Sequence, residues 1–455
     1  MKVAVIGGGL SGLACAWNLR RAGVDVVVLE SDDRVGGKIK TERAEGYHVE
    51  WGPNGFLSSR ESMVRLAESL DLGDQLISAK AESEKRYVMR SGRLEAVPGG
   101  PGDLLSTSIL SVKGAARLLA EPLIPKRSSR DDESVYDFAR RRMGSEAAVL
   151  MDAVVTGIYA GDPRRLSMKA AFPKIAQIES EHGSLLRGAA MMGVKKLRAR
   201  RRGEGGPKKG RPKLTGFAGG METLTGAMAH KLEDAIQVGR PVTGFKKVGR
   251  WRIEAGGGDP IEADAVVLAT PTAAMARILA GVAPAAVAPL EAIPYAPAVV
   301  VGLGFPKAQM PGALDAFGYL VPSTEHRKIL GGLFTSSIFP DRAPNGHVMT
   351  RSILGGARHP DLINLDDDAL IHLVRGELSV ALRGPMPEPT FARVIRWDSA
   401  IPQYVLGHQL RVSEVKSAVA SLKGVYLAGN GLFGVGLPDC ASRGEAVAEQ
   451  IVKRM

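Results

Sequence analysis

The residues that first suggest chemistry are glycines. After the apolar segment 2–6, the chain reads Gly7-Gly8-Gly9-Leu10-Ser11-Gly12, so that Gly7, Gly9 and Gly12 have G-x-G-x-x-G spacing. Such glycines permit a tight turn, let a pyrophosphate approach the backbone, and let a helix pack closely on a strand. Glu30 follows Gly12 by eighteen residues and can accept hydrogen bonds from a ribose diol. The pattern predicts a dinucleotide cofactor.

The elements around these glycines strengthen that prediction. Segment 2–6 is short and β-branched, as in a central parallel strand. A helix pattern of Leu13, Ala16, Trp17 and Leu19 follows and ends near Gly23, and a second strand, 26–29, ends at Glu30. The start of such a helix presents backbone amides and the positive end of its dipole to a phosphate. An isolated glycine motif would be weak evidence, whereas strand, helix, strand and terminal acid together are strong evidence.

Two further segments distinguish FAD from NAD. Arg34-Val35-Gly36-Gly37-Lys38 follows Glu30 closely, and strand 425–427 leads through glycine-rich turns into a helix that reaches Val452. The first segment resembles the flavoproteins of the amine oxidase and desaturase superfamily, in which FAD lies extended along this surface. The resemblance implies that the last helix directs its positive end at the flavin N1/C2 region. FAD is the predicted cofactor. It is expected to be noncovalent, because segment 430–438 has no cysteine.

Five more segments resemble one family within that superfamily. They are EWGPNGF (50–56), GIYAGDP (157–163), FAGGM (217–221), FGYLVPS (317–323) and IPQY (401–404). In this order, and over essentially the whole chain, the sequence is similar to the protoporphyrinogen IX and coproporphyrinogen III oxidase family. The GIYAGDP, FGYLVPS and IPQY segments are the most specific to it.

The resemblance implies a set of FAD contacts, many of them through the backbone. They are Gly7, Gly8, Gly9, Leu10, Ser11, Gly12, Glu30, Arg34, Gly37, Lys38, Gly52, Pro53, Asn54, Gly55, Val242, Asn430, Val435, Gly436 and Leu437. Other members have a different side chain at Lys38, so a backbone contact is expected there. From its pattern alone, Val242 would be a core residue of a strand.

The resemblance also implies a tetrapyrrole site. Its residues are Arg86, Gly157, Gly161, Phe317, Gly318 and Leu320. Arg86 would pair with a propionate, because a guanidinium matches a planar carboxylate. Phe317 and Leu320 would sandwich the macrocycle, while Gly157 and Gly161 would let the backbone approach it. Without the resemblance, Arg86 is a solvated charge at a strand end, Phe317 and Leu320 are core residues, and the glycines mark an ordinary turn.

The implied activity is an oxygen-dependent oxidation in haem biosynthesis, acting on CH–CH bonds. Protoporphyrinogen IX would lose six electrons in three cycles of hydride transfer to flavin N5, with O2 reduced to hydrogen peroxide. The protein's part would be orientation and electrostatics. No side chain is a convincing general base, and His408 is expected to be structural. Coproporphyrinogen III, oxidised to coproporphyrin III, is the alternative substrate; an amine oxidase, a desaturase or a non-enzymatic flavin scaffold are further alternatives.

The predicted fold is α/β with α+β insertions. A discontinuous Rossmann-type FAD domain is expected over 1–78, 214–285 and 410–455, and a sheet-based substrate domain over 79–94 and 286–409. Residues 95–213 are predicted to be a mainly helical, membrane-associating insert.

Two cysteines and eight histidines without ligand spacing predict no metal and a reducing compartment. The oligomeric state is open, with a homodimer as one option.

The charge is concentrated in one place. Segment 195–213 has ten basic residues and one acid, a net +9 of the total +12, and is predicted to be a basic loop. It is either a solvated loop or a contact for anionic lipid; nucleic acid is not expected, since no aromatic residues interleave.

No apolar run is long enough to span a membrane, and segment 106–123 is either an interfacial or a buried amphipathic helix. The chain is expected to be cytoplasmic, associated peripherally with the cytoplasmic membrane face.

Overall fold

The chain folds into two units in the computed structural model, which describes residues 1–97, 110–127, 131–202 and 212–455. The first unit takes residues 1–79, 213–294 and 409–455, and the second takes 80–212 and 295–408. The helical segment and the large sheet of the second unit therefore belong together, whereas residues 95–213 are predicted above as a separate insert.

The secondary structure of the described residues is numbered in chain order. The strands are β1 (Lys2–Ile6), β2 (Asp25–Leu29), β3 (Thr41–Ala44), β4 (Tyr47–Glu50), β5 (Phe56–Leu57), β6 (Leu76–Ser78), β7 (Arg86–Arg90), β8 (Arg93–Ala96), β9 (Leu214–Phe217), β10 (Ile236–Gln237), β11 (Val242–Val248), β12 (Arg250–Ala255), β13 (Ile261–Ala263), β14 (Ala265–Leu268), β15 (Tyr295–Pro306), β16 (Gly318–Leu320), β17 (Ile329–Leu333), β18 (His347–Gly355), β19 (Phe391–Pro402) and β20 (Val425–Leu427). The helices are α1 (Leu10–Arg21), α2 (Glu61–Glu68), α3 (Val112–Leu119), α4 (Val135–Met143), α5 (Ser145–Tyr159), α6 (Met168–Ala171), α7 (Pro173–His182), α8 (Leu185–Arg201), α9 (Glu222–Lys231), α10 (Thr272–Leu279), α11 (Val287–Glu291), α12 (Thr335–Ile338), α13 (Asp367–Leu382), α14 (His408–Val419), α15 (Asn430–Phe433) and α16 (Leu437–Val452).

A parallel sheet in the order β10-β2-β1-β14-β20 forms the centre of the first unit. Its central strand is apolar on both faces, because each face is covered by a different core. Val3 and Val5 pack into the core that includes α1 and α16, whereas Ala4 and Ile6 pack into the core that includes β11–β13 and α10. The strands predicted at 2–6 and 26–29 are confirmed.

Helices α1 and α16 lie against each other on this sheet. Their close approach depends on Gly444, where a Cβ atom would lie 2.5 Å from the Ser11 carbonyl oxygen. This packing holds the starts of both helices, which carry two of the predicted flavin segments, within the same unit.

A seven-stranded sheet forms the centre of the second unit, in the order β19-β15-β18-β17-β16-β7-β8. It is antiparallel except between β7 and β16, where Arg86 lies opposite Gly318 and Val88 opposite Leu320. The sheet packs on α13 through a core that includes Leu370, Val374 and Leu378. The register of β7 on β16 places the predicted substrate residues 86 and 317–320 on neighbouring strands.

Helices α3 to α8 form the helical segment, and they correct one prediction. The basic loop begins as helix, because α8 continues to Arg201; residues 203–211 lie outside the described residues. Within 106–123, residues 106–109 also lie outside the described residues, and α3 buries none of its side chains. Its side chains are exposed or half-buried, as on a surface helix. Among the described helices, none has both the length and the hydropathy needed to cross a bilayer.

Candidate functional site

The glycine turn between β1 and α1 is built by backbone contacts. Gly7 has a φ of +102°, and its N–H donates to the Leu29 carbonyl at 2.8 Å. A Cβ atom on Gly12 would lie closer than 3.0 Å to the Gly7 carbonyl oxygen, so only glycine lets α1 approach this turn. A Cβ atom on Gly9, the residue that precedes α1, would meet no described atom within 4 Å. Open space therefore lies in front of the first amides of α1, where an anion would be stabilised.

The Glu30 carboxylate is fixed at the end of β2. It is buried, and its Oε2 accepts a hydrogen bond from the Gly8 N–H at 2.6 Å. Its Oε1 accepts from the Ser31 hydroxyl and the Asp32 N–H, both at 3.0 Å. A carboxylate offers about four acceptor positions, so one remains for a ribose hydroxyl. The geometry fits the predicted contact.

The loop after Glu30 is held by Arg34. Its guanidinium donates from Nη2 to the Gly37 carbonyl at 2.7 Å and from Nη1 to the Val35 and Ile39 carbonyls. The loop is joined to the glycine turn, because the Gly36 N–H donates to the Gly8 carbonyl at 2.8 Å. The Arg34 side chain therefore shapes the loop that carries Gly37.

Lys38 and the turn at Gly52 are in close backbone contact. A Cβ atom on Gly52 would lie closer than 3.0 Å to the Lys38 carbonyl oxygen. The Lys38 side chain is half-buried, and desolvation lowers its pKa, while the nearby Cys440 thiol opposes the shift. A desolvated ammonium is stabilised by a neighbouring anion. Lys38 is therefore suited to an anionic cofactor through its side chain as well as its backbone.

Asn54 gives the clearest test of whether a cofactor fits here. Both polar atoms of its side-chain amide are buried without a hydrogen-bond partner in the described part of the chain. A buried amide left unpaired costs about 1–3 kcal/mol. Asn54 thus offers an unpaired donor and an unpaired acceptor, and the hydrogen-bonding edge of a flavin matches both.

The last flavin segment follows β20. Positive φ angles at Gly429 (+93°) and Gly434 (+116°) bracket α15, which begins at Asn430, and α16 then begins at Leu437. Val435 and Gly436 therefore form the turn at the positive end of α16.

Val242 is the first residue of β11 and is half-buried. It follows Arg240, whose N–H donates to the Glu30 carbonyl at 2.7 Å.

Arg86 and Phe317 come together in the second unit. The guanidinium carbon of Arg86 lies 5.0 Å from the centre of the Phe317 ring, within the range of a cation–π contact. The neighbouring cation, Lys85, is used differently: its ammonium donates to Asp315 at 2.8 Å, and this hydrogen bond raises the pKa of Lys85. These two adjacent basic residues therefore have different partners. Arg86 is the one beside an aromatic surface.

Leu320 of β16 lies further along the chain and packs against Gly157 of α5. A Cβ atom on Gly157, within α5, would lie 3.0 Å from a methyl group of Leu320. Gly318 has a φ of +141°, and a Cβ atom there would collide with the Gly332 carbonyl. Phe317 and Leu320 are both half-buried, so neither is an ordinary core residue. We call Arg86, Phe317, Leu320 and Gly157 the basic-apolar wall.

Gly161 lies elsewhere. A Cβ atom on it would lie 2.5 Å from Oε1 of Gln403, whose amide donates to the Tyr159 carbonyl at 2.8 Å. The glycine therefore packs the GIYAGDP segment on the IPQY segment. His408 is buried nearby and stacks on Tyr404, with ring centres 3.9 Å apart. In the described residues, no group of three histidine, cysteine or acidic side chains could hold a metal ion.

Comparison with known proteins decides the family. The model for flavin containing amine oxidoreductases matches residues 10–452, nearly the entire chain. The chain belongs to this family. It is a flavin-dependent oxidoreductase, and its cofactor is FAD, as the glycine and acid pattern predicts together with segments 34–38 and 425–452.

Individual amine oxidoreductases also match along nearly the full length. A coproporphyrinogen III oxidase from Bacillus subtilis (strain 168) is 30% identical, over 98% of this chain and 96% of that protein. A chloroplastic protoporphyrinogen oxidase from Nicotiana tabacum is also 30% identical, over 98% of this chain and 84% of that protein. A crystal structure of a candidate protoporphyrinogen oxidase from Exiguobacterium sp. 255-15 has a TM-score of 0.83 and 25% identity, and covers 100% and 99% of the two chains. These relatives confirm the resemblance seen in the sequence.

One further residue shapes the predicted flavin site. Arg443 of α16 donates from Nη2 to the Leu427 carbonyl at 2.6 Å, and its guanidinium carbon lies 3.9 Å from the centre of the Phe433 ring. It therefore fixes both ends of the segment that leads to the flavin turn. The sequence shows only an arginine in an amphipathic helix, so this role could not be found from it.

Proposed function

We propose that the protein is an FAD-dependent porphyrinogen oxidase of haem biosynthesis that converts protoporphyrinogen IX to protoporphyrin IX. The observation that carries this proposal is the Arg86 guanidinium 5.0 Å from the Phe317 ring, on the strand pair that also carries Leu320. A porphyrinogen is a broad apolar macrocycle with carboxylates at its rim. A half-buried apolar surface with one adjacent guanidinium matches that chemistry. The names of the relatives support the same substrate class.

The reaction balances with oxygen as the final acceptor. A porphyrinogen and three O2 give a porphyrin and three H2O2, so six electrons and six hydrogens leave the substrate. FAD, when bound, supplies the chemistry by accepting hydride from carbon and passing the electrons to O2. The chain's own residues bind and orient: Arg86 pairs with a carboxylate, while Phe317 and Leu320 support the macrocycle.

Coproporphyrinogen III is the second candidate substrate. The bacterial relatives from Bacillus subtilis and Propionibacterium freudenreichii, at 30% and 32% identity, are both named coproporphyrinogen III oxidases. This substrate has four propionates, whereas protoporphyrinogen IX has two propionates and two vinyl groups. Each added carboxylate must be paired with a cation or remain in water.

Anaerobic flavin reduction tests the proposal. The yellow holoenzyme is mixed with protoporphyrinogen IX, coproporphyrinogen III or putrescine, and flavin absorbance is followed. We expect rapid bleaching by a porphyrinogen, faster with protoporphyrinogen IX, and none by the amine. In air, three H2O2 should form per porphyrin. Bleaching by the amine alone would identify an amine oxidase, and no bleaching by any of them would favour a flavin scaffold.

The proposal includes peripheral contact with the cytoplasmic face of a membrane. The helical segment exposes apolar side chains, including Val112 (89% exposed), Leu119 (64%) and Leu123 (79%). Helix α8 exposes further apolar side chains, among them Met191 and Leu197, together with basic residues. The turn at 121–123 is joined to the start of α8, because Glu121 accepts a hydrogen bond from the Leu185 N–H at 3.0 Å. Apolar and basic groups on one segment suit an anionic lipid surface.

A further inference from the structure

A second arginine lies beside the basic-apolar wall. Strand β18 ends at Gly355, and the backbone turns through Gly355 and Gly356 at φ angles of +85° and +67°. The Ala357 N–H then donates to the carbonyl of Ala160, the residue that ends α5, at 2.8 Å. This turn brings the next residue, Arg358, to the C-terminal end of α5.

The Arg358 guanidinium joins the two elements that form the wall. Its Nη2 donates to the Thr156 hydroxyl at 3.1 Å and to the Val321 carbonyl at 2.9 Å. Thr156 directly precedes Gly157, and Val321 directly follows Leu320. Within the described residues, both hydrogen bonds come from this one nitrogen, and Nε is buried without a partner. At least one N–H of the guanidinium, that of Nε, is therefore unpaired in this part of the chain.

The charge of this guanidinium is incompletely compensated. Desolvation lowers the pKa of Arg358, and the carboxylates of Asp152 and Asp162 offset only part of that effect. Asp152 uses Oδ2 to accept a hydrogen bond from the Ser323 N–H at 2.5 Å. A partly desolvated guanidinium without a bidentate partner is favourable for binding a carboxylate.

Arg86 and the acceptor of Arg358 belong to one short stretch of the second unit. Arg86 lies opposite Gly318 in the sheet. Val321, whose carbonyl accepts from Arg358, is three residues further along the chain. Two cations on one such stretch can pair with two different carboxylates on the rim of one tetrapyrrole.

We propose that Arg358 binds the second carboxylate of the substrate, while Arg86 binds the first. This inference rests on the proposed porphyrinogen oxidase activity. It assigns a substrate-binding role to a residue outside the FGYLVPS and GIYAGDP segments.

The test compares a free diacid with its ester. Holoenzyme with Arg358→Gln is assayed with protoporphyrinogen IX and with its dimethyl ester, which has no carboxylate charge. We expect kcat/KM for the diacid to fall roughly 10- to 150-fold, as for a lost hydrogen bond to a charged group. The ester should change less than about threefold, and flavin content should stay at the wild-type level. An equal loss on both substrates would mean that Arg358 only braces α5 against Val321, and no loss on the diacid would also overturn the proposal.

Two further variants keep the test decisive. Thr156→Val removes one acceptor of the brace but leaves the guanidinium, so we expect diacid turnover within about threefold of wild type. Arg358→Lys retains the positive charge but lacks the forked guanidinium, and it replaces Arg358→Gln if that variant fails to fold. A loss of kcat/KM on the diacid alone then supports the proposal. An equal loss of kcat/KM on the diacid and the ester refutes it. A wild-type enzyme that oxidises neither substrate would instead refute the proposed function itself.

Discussion

Replacing Gly9 by alanine tests the flavin site without disturbing the fold. Gly9 has a φ of −72° and a ψ of 176°, which alanine adopts readily. A Cβ atom there meets no described atom within 4 Å. Its methyl group would instead occupy the space in front of the first amides of α1. The substitution should therefore remove cofactor affinity and leave the protein folded.

The magnitudes follow from these contacts. Alanine directly before a helix costs about 0.5–1 kcal/mol relative to a better capping residue, and it gains about 0.4–1 kcal/mol by restricting the unfolded chain. The net change in the free energy of unfolding should be close to zero. One lost amide–phosphate hydrogen bond costs about 1.5–3 kcal/mol, so the Kd for FAD should rise roughly 10- to 150-fold.

Gly12→Ala is the matched control. Its Cβ atom would collide with the Gly7 carbonyl, which is backbone and cannot rotate away. Overpacking of this kind costs about 1–3 kcal/mol, so the apoprotein itself should lose thermal stability. Both apoproteins are titrated with FAD by flavin fluorescence and melted by circular dichroism, because bound FAD would hide differences in stability. If Gly9→Ala binds FAD with wild-type affinity, the first amides of α1 do not bind the cofactor phosphate. If both variants lower thermal stability equally, there is no open space for a Cβ atom at Gly9.

Three further predictions address other parts of the chain. Arg86→Ala should lower kcat/KM for protoporphyrinogen IX roughly 10- to 150-fold without loss of flavin. Lys85→Ala, which removes the partner of Asp315, is the control and should keep kcat/KM near the wild-type value. Equal losses of kcat/KM in both variants would mean that Arg86 is not part of the substrate site. Burial raises the pKa of Glu121, but hydrogen bonds including that from Ser184 outweigh burial and bring the pKa below its ordinary value of 4.5. The ionised carboxylate therefore stabilises the folded protein above pH 4.5. This contribution is lost as the pH falls through the folded-state pKa. Glu121→Gln should therefore lose less unfolding free energy between pH 7 and 4 than wild type in urea titrations, and parallel losses would contradict this. Neutralising the described basic residues of the α8 end should weaken sedimentation with anionic vesicles at low salt but spare turnover in detergent; unchanged sedimentation would exclude these charges as the membrane contact. The residues to be changed are Lys195, Arg198, Arg201 and Arg202.

The flavin half of the protein could be predicted because its signals are local. The turn at Gly7, the helix from Leu10 and the acid at Glu30 lie within one stretch of chain, and each residue type has one physical reason to be there. The prediction of FAD is confirmed. Gly444 shows the limit of this reasoning, since its need for glycine arises from Ser11, which is far away in sequence.

The substrate half was harder to predict, because its side chains act through partners distant in sequence. Lys85 and Arg86 are adjacent cations, and only the positions of Asp315 and Phe317 separate their roles. The basic segment from residue 195 has a composition typical of loops, yet it begins as the end of α8. There the helix is anchored from its other end, where Glu121 accepts hydrogen bonds from the first amides. Tertiary contacts of this kind override local composition.

The choice between the two candidate substrates depends on the number of cations at the basic-apolar wall. Arg86 and Arg358 can pair with two carboxylates, and a dicarboxylic porphyrinogen would then bury no unpaired charge. A tetracarboxylic substrate brings two more carboxylates, which must stay in water or find further cations. If Arg86 and Arg358 bind separate carboxylates, the losses from Arg86→Ala and Arg358→Gln should multiply in the double variant. A double variant no worse than either single one would mean that both arginines serve one carboxylate, and the preference for a dicarboxylic substrate would lose its basis.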